Sequence, residues 1–319
     1  MEFLNAIPVL GDCVGDVGRC ADIIAIGLFN GLIIALIALG YTLVYGILQL
    51  INFANGEVFM IGTLLTFFWL RVFIQDGLGM EPNLLHALII LPVIMLVTAT
   101  LNASIERLAY RPLRNAPTLA TLISAIGMSF VLQNVGIVLL GPSPVALPEI
   151  LGSDDAIQLG PIGLGFDEVF AAAVTIPLLI ALVWFVQNTR QGKAMRATAQ
   201  DREAAGLMGI DVNRTIGVTF LLAGALAGGA GLVVALFNGQ AQWNYGFSYG
   251  LLAFTAAVLG GIGNLAGAAL GGIFLGILKA LIDFYVEPRW TDVIVFSMLV
   301  IVLVFRPTGL LGEKQAEGS

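Results

Sequence analysis

Charge is scarce in this sequence, and its scarcity excludes a water-soluble fold. Of 319 residues only 11% are charged and 58% are hydrophobic, and the mean hydropathy is +0.96. Soluble domains carry about 25% charged residues, so a chain of this composition could not hide its apolar surface from water. The 39 glycines suit closely packed membrane helices. The composition therefore predicts a protein that crosses a membrane many times.

Histidine and cysteine are almost absent, which leaves little for enzymatic or metal chemistry. The one histidine, His86, lies at an apolar helix end, where a packing role is far more common, and no His and Cys cluster has metal-ligand spacing. The Gly192-Lys193 dipeptide lacks the surrounding residues of a phosphate-binding loop. We expect no catalytic residue, no metal and no cofactor in this chain. The net charge of −7 argues against a nucleic-acid partner.

Basic residues are also rare at the N-terminus. Residues 1–22 hold four acids against one basic residue, Arg19, and they lack the charged n-region of a signal peptide. We therefore expect this segment to lie outside the cytoplasm and the first span to act as its own uncleaved signal. Cys13 and Cys20, the only cysteines, could close a small disulfide loop in an oxidising compartment. Two free thiols are the alternative.

Apolar stretches long enough for membrane helices fill most of the chain. A span needs about 20 apolar residues, and the stretch 250–263 is short, so the total of about nine crossings could be eight to ten. Three polar segments, 106–114, 188–215 and 306–319, hold ten of the fourteen basic residues. Excess Lys and Arg marks the cytoplasmic side, which places the C-terminal tail, 306–319, inside and the N-terminus outside. The transmembrane region is then 23–305, with spans at about 23–48, 58–74, 84–102, 118–140, 169–187, 216–237, 250–263, 266–286 and 291–305.

Glycine spacing indicates where these helices approach one another. Gly27 and Gly31 form a GxxxG arrangement, and Gly263, Gly267 and Gly271 recur every four residues. Small residues at this spacing let two helix backbones come close.

A few polar residues fall inside or beside the apolar stretches. Asn52, Asn55 and Glu57 precede the second span, and an acid facing lipid would cost roughly 3 kcal/mol, so we expect them to face protein, water or a pore. Lys279 and Asp283, at i,i+4 in a later span, are interpreted as a local ion pair. Embedded ionisable residues are typical of secondary transporters. The position of Glu57 beside the inner surface favours a structural or gate role over ion coupling.

The central segment 188–215 is the most polar part of the chain. Residues 193–208 are rich in helix formers, and Gly206 and Gly209 can end a helix. Helical spacing places Lys193, Arg196 and Glu203 on one face beside a flank of alanines. An ordinary solvated loop helix is the alternative interpretation.

The sequence also resembles a known family. Glu203-Ala204-Ala205 followed by Gly209 is similar to the EAA signature of ABC importer permeases, whose loop docks on a cytoplasmic ATPase. The longer string GKAMRATAQDREAAGLMGI resembles the branched-chain amino acid permeases of the LivH type. The strings ALGYTLVYGILQLINFANGE, ERLAYRPLR, AFTAAVLGGIGNLAGAALGG and FRPTGLLG resemble the same family in the same order. This sequence departs from it at Asn55, where histidine is common, and in its paired cysteines.

The resemblance implies an all-α polytopic membrane protein with the ABC importer permease fold, in a bacterial inner membrane. It implies a second related permease, two ATPase subunits that bind the ATP, and a periplasmic binding protein as partners. Permeases for urea or short amides share much of the pattern, and an ion-coupled transporter or channel is the rival class. We expect ATPase coupling through Lys193, Arg196, Asp201, Glu203, Ala204, Ala205 and Gly209. We expect the translocation path to include Asn52, Asn55, Glu57, Thr255, Gly260, Gly261 and Gly263.

Overall fold

The computed structural model describes residues 17–49, 52–75, 84–114, 116–148, 157–159, 162–286, 288–306 and 309–312. The expected disulfide between Cys13 and Cys20 lies outside the described residues and side chains, so it stays a prediction.

Within these residues the chain forms eleven α-helices and four short strands. Eight helices are long and apolar enough to cross a membrane, and α9 is shorter, which agrees with the expected all-α polytopic protein. The strands form two small antiparallel pairs, β1 with β4 and β2 with β3, that the sequence did not predict. In order the elements are α1 Val17–Leu48, α2 Ala54–Leu70, α3 Leu84–Ile105, α4 Thr118–Leu140, β1 Val145–Ala146, β2 Ile157–Leu159, β3 Ile162–Leu164, α5 Phe166–Asn188, α6 Arg190–Gln200, α7 Arg202–Leu207, α8 Val212–Asn238, β4 Gln240–Ala241, α9 Tyr245–Gly260, α10 Leu265–Tyr285 and α11 Thr291–Phe305.

Helices α1 and α8 form the core of the bundle, because their middle turns are buried on all sides. Helix α1 packs antiparallel along α10 through the predicted glycines: a Cβ on Gly276 would lie 2.2 Å from the backbone of Gly31. The GxxxG prediction is confirmed, since only hydrogen side chains allow this approach. Helix α8 meets α3 in the same way, with Gly228 against Thr98.

The two faces of the bundle are identified by which helix ends meet there. We call the end that carries α6 and α7 the loop face. It also holds the end of α1, because the Arg202 guanidinium donates to the Ile47 carbonyl at 2.8 Å. At the opposite face, the ends of α4 and α8 are joined by the β1–β4 pair.

Helix α9 is the short segment whose crossing the sequence left open. The strand before it, β4, lies at the opposite face, and the turn after it brings Gly263 close to Gly46 near the end of α1, at the loop face. The start of α9 lies inside the bundle, where Gly246 meets Gly56 of α2. At about 1.5 Å per residue its 16 residues span only about 24 Å. Among the described residues, the eight other long helices are long and apolar enough to cross a membrane, and a ninth crossing by α9 stays a prediction.

The C-terminal segment 309–312 folds back onto the end of α9. The Leu310 and Leu311 amides donate to the carbonyls of Leu259 and Gly260 at 2.8 and 3.2 Å. The Asn264 side chain donates to the Leu311 carbonyl at 2.9 Å. Terminal carbonyls of a helix have no partner within it, so this segment satisfies them and fixes the turn between α9 and α10.

Candidate functional site

A break separates α1, which ends at the loop face, from α2, which begins at Ala54 within the bundle. Gln49, with φ of +54°, lies at the end of α1 in a backbone region that non-glycine residues seldom occupy. The Asn55 side chain lies against Gly40, whose neighbourhood includes the Ala223 carbonyl of α8. Gly40 lies about 10 Å along α1 from Ile47 at the loop face. The expectation that this polar segment lies beside the inner surface stays a prediction.

The amides at this break are buried and incompletely bonded. Asn52 accepts a hydrogen bond from the Tyr110 hydroxyl at 2.7 Å through Oδ1, while its Nδ2 has no partner in the structure. Asn55 is 0% exposed, and neither polar atom of its side chain has a partner. The Thr42 hydroxyl of α1 is also buried and unpaired. Buried polar groups normally find partners, so these amides have the capacity to bind water or a polar solute.

Glu57 lies one turn into α2 and borders a cavity of about 250 Å³. The residue is 1% exposed. Its Oε1 accepts a hydrogen bond from the Ser129 hydroxyl at 3.1 Å, and its Oε2 has no partner. Ser129 and Gln133 are polar residues one turn apart in α4, a pattern in an apolar span that could have been found in the sequence. The cavity is lined by Tyr41, Phe53, Glu57, Ile126, Ser129, Phe130, Gln133, Gly246, Phe247, Gly250 and Leu251.

Close backbone contact between α2 and α9 makes this arrangement possible. A Cβ on Gly56 would lie 2.4 Å from the Gly246 carbonyl oxygen, and a Cβ on Gly246 would lie 2.1 Å from Glu57 Oε2. Both positions therefore require glycine. Gly246 brings the start of α9 to the start of α2, which no local sequence pattern predicted.

The other residues expected in the path do not line this cavity. The Thr255 hydroxyl is buried and donates to the Leu251 carbonyl of its own helix at 2.8 Å. Gly260 and Gly261 contact the backbones of Gly267 and Gly312, which gives them a packing role at the end of α9. Gly263 is exposed, with φ of +98°, in the turn before α10. Asn52 and Asn55 do not line the cavity either, since Asn52 bonds to Tyr110 and Asn55 lies against Gly40. Of the seven residues expected in the path, Glu57 alone borders the cavity.

The central segment forms two helices where one was expected. Asp201 ends α6 in an extended conformation and begins α7, because its carboxylate accepts from the amides of Glu203 and Ala204 at 2.8 and 3.0 Å. This N-terminal cap restarts the helix in a new direction. The prediction of a single helix over 193–209 is wrong for that reason.

Most of the expected coupling residues are exposed on the loop face. Met195 and Thr198 turn inward and anchor α6, whereas α7 projects from the bundle. Of the residues expected to couple, Ala205 is buried against the bundle. The exposed ones are Lys193, Arg196, Asp201, Glu203, Ala204 and Gly209.

Leu207 and Met208 are the site residues that the sequence interpretation missed. They are 89% and 83% exposed at the end of α7, on a face of the bundle that is otherwise rich in charge. Adjacent large apolar side chains this exposed are unusual outside an interface. Their position directly after the Ala204-Ala205 pair was the available signal.

The loop face also carries a polar cavity of about 420 Å³ between α7 and the end of α1. Arg202 and Arg114 both line it, and Arg202 holds the last turn of α1 through the Ile47 carbonyl. Burial lowers the pKa of Arg114, an effect that its ion pair with Glu106 counteracts. Arg202 therefore ties the start of α7 to the end of α1.

Comparison with known proteins agrees with this architecture. Residues 23–303 match the family model described as branched-chain amino acid transport system / permease component. The chain belongs to this family. It is 40% identical to the high-affinity branched-chain amino acid transport system permease protein LivH of Salmonella typhimurium, over 91% of this chain and 96% of the relative. It is 40% identical to the corresponding protein BraD of Pseudomonas aeruginosa, over 91% and 95%.

A more distant relative is the probable branched-chain amino acid transport permease protein LivH of Methanocaldococcus jannaschii, 30% identical over 90% of this chain and 89% of the relative. No solved structure matches the chain. This permease is a multi-pass membrane protein with a polar cluster at a helix break and an exposed helical loop. Helix α1 connects the two sites, since it carries Tyr41 at the cavity and Ile47 beneath α7.

Proposed function

We propose that this permease is a transmembrane subunit of an ATP-driven ABC importer that translocates leucine, isoleucine and valine. Its relatives in Salmonella typhimurium and Pseudomonas aeruginosa carry that transport system in their names. The observation that carries the energy-coupling part is α7, with its exposed Leu207 and Met208 and its link through Arg202 to α1. Two ATPase subunits bind ATP, and one of them docks on α7.

The orientation follows from the charges. The loop face carries the basic segments 106–114 and 188–215, and Lys and Arg concentrate on the cytoplasmic side. We place this face and the C-terminus in the cytoplasm of a bacterium and the N-terminus outside. The β1–β4 and β2–β3 pairs then lie on the outer side, where a periplasmic binding protein delivers the amino acid.

A second, related permease completes the path. Helix α4 is the poorly buried wall of the Glu57 cavity, and the exposed side of α4 carries the polar Asn134 together with Phe130 and Val138. Lipid tails cannot form hydrogen bonds with an amide. We assign this side of α4 to the contact with the partner permease, so that the cavity faces the interface between the two.

The test is reconstitution of the co-purified complex in liposomes. We expect uptake of leucine, isoleucine and valine that requires ATP and a loaded binding protein, while urea and short amides are not taken up. Uptake that follows a proton or sodium gradient without ATP would place this chain among secondary transporters and overturn the proposal.

A further inference from the structure

The burial and hydrogen bonding of the Glu57 carboxylate are not explained by its lying in a transport path. Its residue is almost fully buried, one oxygen is bonded to Ser129, and the other has no partner. An ionised carboxylate in an apolar environment is costly unless a cation or hydrogen-bond donors compensate it. Among the described residues that line the cavity there is no Lys, Arg or His. The described lining therefore supplies no cation to the carboxylate, whose unpaired Oε2 packs beside Gly246 at the edge of the cavity.

Aromatic residues also line the cavity that Glu57 borders. Tyr41, Phe53, Phe130 and Phe247 all line it. Aromatic faces attract cations through the ring quadrupole, most strongly where water is excluded. Carboxylate and rings together favour a small organic cation and disfavour an anion.

The size of the cavity limits the ligand. Its volume of about 250 Å³ is below the roughly 300–1,000 Å³ of sites for drug-sized ligands. Most of the remaining lining is apolar, including Ile126 and Leu251. This suits an aliphatic group of a few carbons attached to the cationic group.

We propose that Glu57 binds the α-ammonium group of the transported amino acid, while the aromatic and aliphatic lining of the cavity receives its side chain. This inference rests on the proposed function, since it specifies how the same path recognises its substrate. Ser129 and the neighbouring Gly246 hold the carboxylate in place at the cavity edge, where its negative charge attracts the ammonium. Glu57 is then a specificity-determining residue that accepts amines and rejects the corresponding acids.

The first test measures the charge of the cavity without requiring transport. In the full-length chain, co-expressed with its partners, Cys13 and Cys20 are replaced by serine and Gln133→Cys places one thiol in the cavity lining. Membranes are treated with cationic aminoethyl methanethiosulfonate or anionic sulfonatoethyl methanethiosulfonate. We expect the cation to react faster by roughly tenfold, corresponding to about 1.4 kcal/mol, and Glu57→Gln to abolish the preference. Equal rates, a preference that survives Glu57→Gln, or no reaction at all would overturn the proposal.

The second test uses competing ligands in the same labelling assay. Leucine and isoamylamine should slow the labelling of Gln133→Cys, whereas isocaproate, which has the aliphatic chain and a carboxylate but no amine, should not. Protection by isocaproate as strong as that by isoamylamine would contradict ammonium binding. Neither test uses ATP or a binding protein. The labelling results can therefore be interpreted even if the importer proposal fails.

Discussion

The helix break around Glu57 and the α6–α7 loop are both polar interruptions of an apolar chain, yet they are built in opposite ways. The loop is held by local hydrogen bonds: the Asp201 carboxylate accepts from the amides of Glu203 and Ala204. The break is held by contacts between residues far apart in sequence, such as Glu57 with Ser129 and Gly56 with Gly246. The loop exposes its functional groups to water, and the break encloses them. A substitution should therefore act through docking in the loop and through packing or solvation at the break.

The largest contrast is expected from adding one methyl group in each region. In Gly56→Ala the new Cβ would lie 2.4 Å from a backbone oxygen, whereas at Gly206 nothing lies within 4 Å. Overpacking of this kind costs about 1–3 kcal/mol, so we expect Gly56→Ala to lower the thermal stability of the purified permease and its transport. Gly206→Ala is the matched control and should unfold at the wild-type temperature. Equal stability of the two variants would show that α2 and α9 can separate freely.

Leu207→Asp should have the next largest effect, confined to assembly. An apolar interface residue at a hot spot contributes about 2 kcal/mol or more, so the amount of ATPase recovered with the permease should fall roughly 30-fold. Since the side chain is 89% exposed, the stability of the isolated chain should not change. Leu207→Met keeps the apolar contact and serves as the control. Unchanged recovery of ATPase with Leu207→Asp would remove α7 from the dock.

Asn55→Leu, at the break, should change stability and transport in opposite directions. The Asn55 amide is buried without a partner, and such a group costs about 1–3 kcal/mol. An apolar side chain of similar size should therefore raise the unfolding temperature while it lowers leucine uptake. Thermal unfolding and uptake are measured on the same preparation. A variant that loses stability would show that the amide has a partner in the assembled protein.

Arg202→Ala tests the connection between the two regions. The guanidinium bond to the Ile47 carbonyl is charge-assisted and contributes about 1.5–3 kcal/mol when buried, and less here because the site is partly open to water. We expect ATPase to co-purify normally but transport per ATP hydrolysed to fall several-fold. Arg190→Ala, at an exposed loop-face residue outside the expected coupling set, provides the control. Equal coupling in both variants would mean that α1 receives its movement by another route.

The smallest effect is expected from Asp201→Ala. Loss of a side-chain cap costs about 1 kcal/mol, and α7 is a short helix that depends on it. Hydrogen exchange of the amides in 203–207 should become faster by roughly fivefold, whereas Asp201→Asn, which keeps an accepting oxygen, should retain most of the protection. Unchanged exchange in Asp201→Ala would show that docking against the bundle alone holds α7.

Much of the fold could be predicted from the sequence because the membrane imposes strong and local rules. Long apolar runs gave the long spans to within a few residues, and Gly27 and Gly31 correctly indicated that α1 packs closely against a neighbour, which the structure identifies as α10. The Lys279–Asp283 ion pair was predicted from i,i+4 spacing and is confirmed at 2.5 Å. The two short strand pairs were not predicted, since two or three residues carry too little pattern.

The candidate sites were predicted less evenly. The exposed charges of the loop followed from its composition, but the division at Asp201 and the exposure of Leu207 depended on how α7 leaves the bundle. At the break, Asn52, Asn55 and Glu57 were recognised because polar residues are rare in an apolar chain. Their partners were not recognised: Tyr41 and Gly246 carry no local mark of a shared cavity, and the spacing of Ser129 and Gln133 in α4 was overlooked.

The sequence by itself determined that this protein crosses a membrane many times, where its long spans lie, and which segment carries most charge. These properties depend on hydrophobicity and residue identity within one helix length, where each side chain can be judged against lipid or water. Only the tertiary structure decided that α2 begins inside the bundle and that α9 meets it through Gly56 and Gly246. It also decided that Glu57 keeps one carboxylate oxygen unpaired beside a cavity. Contacts between distant helices depend on the packing of the whole bundle, which no single stretch of sequence specifies.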